Sequence, residues 1–178
     1  MDATLRHLTE ADYKTQPWKN GRGSTVELWR MDQDGRLLLR LSRAAVVEDG
    51  PFSVFPGIAR NLTVLSGPGF RLTGGGLDFR CDPLVPVAFP GDVPVLASET
   101  GGQQSDDFNV MTAADLPRPT VTLAQNDDLP MGGLLALYAL GPCQVDGRDM
   151  ARGDLILTRS AARLTGDWPV IAVRMTGL

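Results

Sequence analysis

The sequence predicts an all-β protein made of two similar barrels. Two observations carry this expectation. The chain holds 20 glycines and 13 prolines, spread along its whole length, and they cut it into short apolar segments. One arrangement of those segments also occurs twice. Short apolar stretches punctuated by Gly and Pro read as strands and turns. Helical periodicity is scarce. Only Thr9 to Tyr13, with Thr9 as N-cap, and Thr112 to Leu116 read as short helices.

The strands follow in order. Ser24 to Met31 alternates, with Thr25, Glu27 and Trp29 on one face and Val26 and Leu28 on the other. After the Asp34-Gly35 turn, Arg36 to Ala45 sets Leu39 and Leu41 opposite Arg40 and Ser42. Asn61 to Leu65 and Phe70 to Thr73 flank the turn Ser66-Gly67-Pro68-Gly69. Further strands are expected at Val85 to Phe89, Val93 to Ala97, Val121 to Ala124, Gly133 to Leu140, Asp154 to Thr158 and Val170 to Met175. Many short strands with regular turns suit a sandwich or barrel.

The repeat is loose but ordered. VLSGPGFRL (64–72) is followed by PGDVPVLA (90–97). YALGPCQVDG (138–147) is followed by RGDLILT (152–158). In each copy an apolar strand ends at Gly-Pro, and a later Gly-Asp turn opens another. That unit is the pattern of the jelly-roll barrels called cupins. The expected architecture is therefore a bicupin: two RmlC-like jelly rolls packed together, 1–111 and 112–178, with strands open to exchange between them. Residues 112–126, which contain Pro117 and Pro119, read as the connection.

Cupin barrels usually hold a metal with two or three His and a Glu. Here the single histidine, His7, lies outside both repeats. Several donors must converge on one ion, so no metal and no cofactor are expected. A Ser-His-Asp or Cys-His arrangement would also have to use His7. GRGS (21–24), GPG (67–69) and GGG (74–76) fit neither a P-loop nor a dinucleotide fingerprint, and read as turns.

Bulk composition narrows the partners. The 178 residues carry a net charge of −4 without a Lys/Arg run, so no nucleic acid is expected. The N-terminus has no apolar signal core, and the longest apolar run, Leu134 to Leu140, is too short for a bilayer. A cytoplasmic protein with no membrane partner is expected. Cys81 and Cys143 read as reduced thiols. Exposed sheet edges are compatible with a homodimer.

What remains is a set of polar residues on apolar strands. PWKNGRGSTVEL (17–28) contains Trp18, Lys19, Asn20 and Glu27. Arg40 and Ser42 share a face, Arg60 opens a strand, and DDFNVM (106–111) holds Asp107, Phe108 and Asn109. An Arg40 pointing into a barrel needs an anionic partner. Glu27 and a ligand carboxylate are equal candidates. Trp18 and Phe108 could wall a pocket whose polar groups anchor a small anion.

Those segments resemble the HutD/Ves family. The resemblance rests on PWKNGRGSTVEL (17–28), RLSRAAVVEDGPFSVFPGIARNLTVLSG (40–67), FPGD (89–92) and DFNVM (107–111), all in family order. It implies a two-cupin bacterial protein without established catalysis, associated with histidine utilisation and tuning it by binding an intermediate such as urocanate or formylglutamate. Carried over by position, the family's pocket implies Trp18, Asn20, Glu27, Arg40, Ser42, Arg60 and Asn109, with Lys19 where either basic residue is accepted. The expected function is thus a non-enzymatic regulator that binds a small anionic metabolite in the N-terminal barrel. A metal-independent isomerase or lyase with Glu27 as base is the alternative, weakened because nearby arginines would make Glu27 a weak base. A purely structural role for the polar residues is the third.

Overall fold

The structure, a computed structural model, describes residues 5–18 and 23–178. The chain divides into two compact units, Lys14–Leu116 and Met1–Tyr13 with Pro117–Leu178. β1 (Arg6–Leu8) therefore belongs with the C-terminal residues. A 3-10 turn, Glu10–Asp12, follows. It stands where Thr9 to Tyr13 was read as a helix, and the Thr9 N–H donates to the Asp12 carboxylate at 2.8 Å.

The Lys14–Leu116 unit contains β2 (Lys14–Pro17), β3 (Ser24–Gln33), β4 (Arg36–Val46), β5 (Gly50–Pro51), β6 (Ile58–Ser66), β7 (Phe70–Gly74), β8 (Leu77–Cys81), β9 (Val87–Pro90), β10 (Leu96–Ser98) and β11 (Ser105–Ala113). They form a six-stranded sheet in the order β2-β3-β4-β11-β6-β9 and a four-stranded sheet in the order β5-β10-β7-β8. Both sheets supply one apolar core. Leu62, Val64, Val87 and Phe89 come from the first, and Phe70, Leu72, Cys81 and Ala97 from the second. Opposed inner faces of antiparallel sheets are how a jelly roll buries its alternating side chains.

Two expectations need correction here. Thr112 to Leu116 is not a helix, because β11 runs on through Ala113, with Thr112 paired to Leu39 and Ala59. The β-ladder on both sides takes up the backbone groups that a helix would need. The faces of β3 also switch part-way. The register shifts between Glu27 and Trp29, so Glu27 lies opposite Ser42 while Trp29 lies opposite Leu41. A bulge adds one residue and reverses every later side chain. Glu27 and Trp29 therefore do not share a face.

The other unit adds β12 (Thr120–Ala124), β13 (Asp128–Leu129), β14 (Leu134–Ala139), β15 (Cys143–Val145), β16 (Arg148–Met150), β17 (Leu155–Thr158), β18 (Ala162–Thr165) and β19 (Val170–Met175). Its sheets run β1-β17-β14-β19-β12 and β13-β18-β15-β16. The enclosed cluster is apolar throughout, from Leu135, Leu137, Ile156 and Ala172 to Val145, Met150 and Leu164. All-β, with two cupin-type barrels, is the observed fold class. No helix of the described residues is long and apolar enough to cross a membrane.

The N-terminal segment is fastened to this second unit by three means. β1 pairs antiparallel with β17. His7 Nε2 lies 2.8 Å from Asp154 Oδ2. The Tyr13 hydroxyl donates to the Gly153 carbonyl at 2.7 Å. The lone histidine thus works as a clasp between a strand and a turn. His7→Ala should lower stability by about 1–2 kcal/mol, because Asp154 loses one partner at a half-buried site. Urea unfolding of the variant checks this, and an unchanged midpoint would rule the clasp out.

Candidate functional site

The Lys14–Leu116 unit encloses a cavity of about 700 Å³. Its floor follows from strand alternation and register. Arg40, Ser42 and Ala44 project from one side of β4. Across the ladder, Met111, Asn109 and Asp107 stand opposite them on β11, and Arg60, Leu62 and Val64 continue the rows on β6. This is also the face that carries the core residues Leu62 and Val64, so it points into the barrel. Trp18 and Thr25 close one side, and Phe52, Ser53 and Phe55 another.

Arg60 is the most constrained group of the cavity. It is 7% exposed. Its guanidinium lies 5.4, 5.3 and 5.0 Å from the ring centres of Phe52, Phe55 and Phe89, within cation–π range. Nη1 donates to the Ser53 carbonyl at 3.3 Å and Nη2 to Asn109 Oδ1 at 3.2 Å. Among the described residues, Nε has no partner and no carboxylate pairs with the guanidinium directly. Burial pulls its pKa down to about 10, against the opposing pull of Asp107 and with a further downward push from Arg40.

Asn109 relays between Arg60 and Asp107. Its Nδ2 donates to Asp107 Oδ1 while its Oδ1 accepts from Arg60. Only one amide orientation serves both neighbours, since a guanidinium only donates and a carboxylate only accepts. Asp107 is 1% exposed. Burial raises its pKa to about 7, and the Asn109 hydrogen bond and the Arg60 charge offset only part of that rise.

Arg40 is held differently. Its Nε donates to Glu27 Oε2 at 2.8 Å. Glu27 pairs with Ser42 in the ladder, so it projects from the same face as Arg40 and holds it from the β3 side, and no described residue bonds the Nη groups of Arg40. Trp18 is fixed by its indole N–H, which donates to Thr25 Oγ1 at 2.9 Å, and by its backbone N–H, bonded to the Gly23 carbonyl at 2.8 Å. A Cβ on Gly23 would fall 2.9 Å from the Trp18 ring, so only glycine permits this packing.

The structure thus brings together Trp18, Arg40, Ser42, Arg60 and Asn109, with Glu27 as support. Phe108 is a correction. It alternates away from Asp107 and Asn109, is fully buried, and lies on the outer face beside Arg43 in the ladder. It cannot wall the cavity. Lys19 and Asn20 lie outside the described residues. Reasoning from sequence singled out Asp107 but did not place it in the pocket, and missed Thr25, Met111, Phe52 and Phe55. Period-two alternation within DDFNVM would have paired Asp107 with Asn109 and set Phe108 apart. Among the described residues, no group of three or more His, Cys, Asp or Glu side chains is placed to hold a metal ion.

The HutD family model matches residues 10–168. The chain belongs to the HutD family. That membership points to a role related to histidine utilisation. A conserved protein of unknown function from Pseudomonas aeruginosa PAO1 is similar at 31% identity and a TM-score of 0.84, covering 98% of this chain and 100% of that one. HutD from Pseudomonas fluorescens SBW25 is similar at 27% identity and a TM-score of 0.84, covering 97% and 99% of the two chains. YlbA from E. coli, at 13% identity and a TM-score of 0.68 over 99% and 92%, shares the fold alone.

The FPGD segment that marks the family resemblance has a local reason. The Gly91 N–H donates to the Ile58 carbonyl at 2.7 Å, and the Phe55 N–H donates to the Gly91 carbonyl at 2.7 Å. A Cβ on Gly91 would lie 2.7 Å from Ile58 O, 2.9 Å from Phe55 O and 3.3 Å from Arg60 Cγ. Gly91→Ala should therefore destabilise by about 1–3 kcal/mol through overpacking, read by chemical unfolding. Asp107 yields a pH prediction. Its folded pKa of about 7 stands above its ordinary value of 3.8, so the folded state keeps the proton longer. Its contribution to stability is full below about pH 4, is lost as pH rises through about 7, and is flat above. Asp107→Asn should remove that slope from an unfolding series, and a slope that survives would place its origin elsewhere.

Proposed function

We propose that the chain is a non-enzymatic binding protein that tunes histidine utilisation by holding a small anionic intermediate, of urocanate or formylglutamate type, in the cavity of the Lys14–Leu116 barrel. The observation that carries this is Arg60: a buried guanidinium on the cavity lining with an unsatisfied Nε and no direct carboxylate among the described residues. A buried cation without an ion pair is destabilising, and a ligand carboxylate would supply the missing anion. Arg40 offers a second contact from the same face. Each charge-assisted bond contributes about 1.5–3 kcal/mol. Two of them with the Trp18 and Phe52 surfaces approach the roughly 8 kcal/mol of micromolar affinity. A cavity of about 700 Å³ has room for such an acid.

One observation favours a second reading, a metal-independent isomerase or lyase on a small carboxylic acid. Asp107 lines the cavity with a pKa of about 7, suited to a general base at neutral pH. Glu27, the base expected from the sequence, is engaged by Arg40 instead.

Thermal unfolding with urocanate, formylglutamate and other histidine-pathway acids separates the readings. An acid at about a hundred times its Kd adds about 2.7 kcal/mol, a rise of several degrees. Arg40→Ala should abolish the rise, measured against the variant's own ligand-free midpoint. If no acid shifts the wild-type midpoint, the binding reading fails. If the stabilising acid is consumed over hours, the enzyme reading replaces it.

A further inference from the structure

The cavity holds a charge balance that an entering anion must disturb. Among the described residues, Arg40 and Glu27 cancel through their 2.8 Å pair. Arg60 and Asp107 remain, joined through the Asn109 amide. Asp107 Oδ1 is occupied by that amide, and no described residue donates to its Oδ2. The surroundings of Asp107 offer little further compensation. β11 itself presents Asp106, already bonded to Ser66 and Gln104. β6 presents Arg60 and β4 presents Arg40, with the uncharged Val64 and Ala44 directly opposite. β3 presents Glu27, β8 the Cys81 thiol, and the 51–55 segment Phe52 and Ser53.

Resting on the anion-holding reading above, we propose that the ligand enters together with one proton, which Asp107 takes from solvent and offers to the ligand as a carboxyl O–H donor. With Asp107 ionised, two anions would share one guanidinium in a wall removed from water, and their repulsion would offset the attraction of Arg60. Protonation removes one of the negative charges facing Arg60. It also turns Oδ2 from an acceptor facing the ligand into a donor, while Oδ1 still accepts from Asn109. The folded pKa of about 7 keeps this proton within reach at neutral pH. The site therefore selects an acid that turns a hydrogen-bond acceptor, such as a carboxylate or carbonyl oxygen, toward Asp107. It disfavours one that turns an ammonium group there.

Calorimetric titration of the full chain with N-formylglutamate tests this, because the carboxylates of that probe stay ionised from about pH 6 to about pH 9. Two buffers of different ionisation enthalpy count the protons. Near pH 8 the wild type should take up close to one proton. Its apparent Kd should rise about tenfold per pH unit above the pKa of Asp107 and level off below it. Asp107→Asn should show no uptake and a flat profile. Wild-type binding without proton uptake overturns the proposal and leaves the anion-holding reading standing. A slope that persists in Asp107→Asn overturns it likewise. If neither N-formylglutamate nor urocanate binds at any pH, both fail. Should Asp107→Asn not fold, the wild-type proton count decides alone.

Discussion

A guanidinium taken out of water organises the first barrel. Arg60 is buried inside the barrel, and a charge there is tolerated only with compensation from its surroundings. Three phenylalanine rings supply their faces. The Ser53 carbonyl and the Asn109 amide supply acceptors. Each supplier is in turn fixed by something further out. Phe55 is positioned by the tight approach of Gly91, and Asn109 by Asp107 and by the β4-β11-β6 ladder. The family segments FSVFPG, FPGD and DFNVM are far apart in sequence, yet all three converge on this one side chain. Their constraint is the shell that a buried cation requires.

The two barrels share a pattern of turns and differ in what they enclose. The enclosed cluster of the C-terminal unit is wholly apolar, with small residues such as Ala124, Ala139, Ala162 and Ala172 fitted among larger ones. The matching interior of Lys14–Leu116 gives up part of its apolar lining to Arg40, Ser42, Arg60, Asp107 and Asn109, and a cavity opens there. Close packing excludes voids from an ordinary core, and here the space is walled by charged and amide groups.

Much of this was legible in the sequence, and the failures have definite causes. The strands with clear alternation, such as those around Leu39–Leu41 and Val170–Met175, were found close to their true limits. The central strand β11 was not read as a strand, because its inward positions are Asp, Asn and Met rather than a plain apolar series. That misreading produced the errors at Phe108 and at Thr112. The face of Trp29 was lost to a bulge, which leaves no mark on a two-residue period. Edge strands of two or three residues, such as Gly50–Pro51, have too few positions to show a period at all. The sequence left Glu27 and a ligand carboxylate as equal candidates for the partner of Arg40, and the ladder register that sets Glu27 opposite Ser42 brings Glu27 to it.

The arrangement of the carboxylates is the ground on which we propose holding rather than transforming. Glu27 and Asp107 are the two acids associated with the cavity arginines, and they sit in opposite environments. Glu27 is bonded by Arg40. Asp107 is on the wall, but its Oδ1 is occupied by an amide that also steadies Arg60. An acid–base pair working on one substrate needs both groups within reach of the reacting atoms. Here both are already engaged, Glu27 by Arg40 and Asp107 as part of the scaffold that keeps the Arg60 guanidinium in place. Moving its proton fully to a substrate would expose a buried carboxylate beside a bound anion, whereas keeping that proton on Asp107 leaves the anion, Arg60 and the amide mutually satisfied.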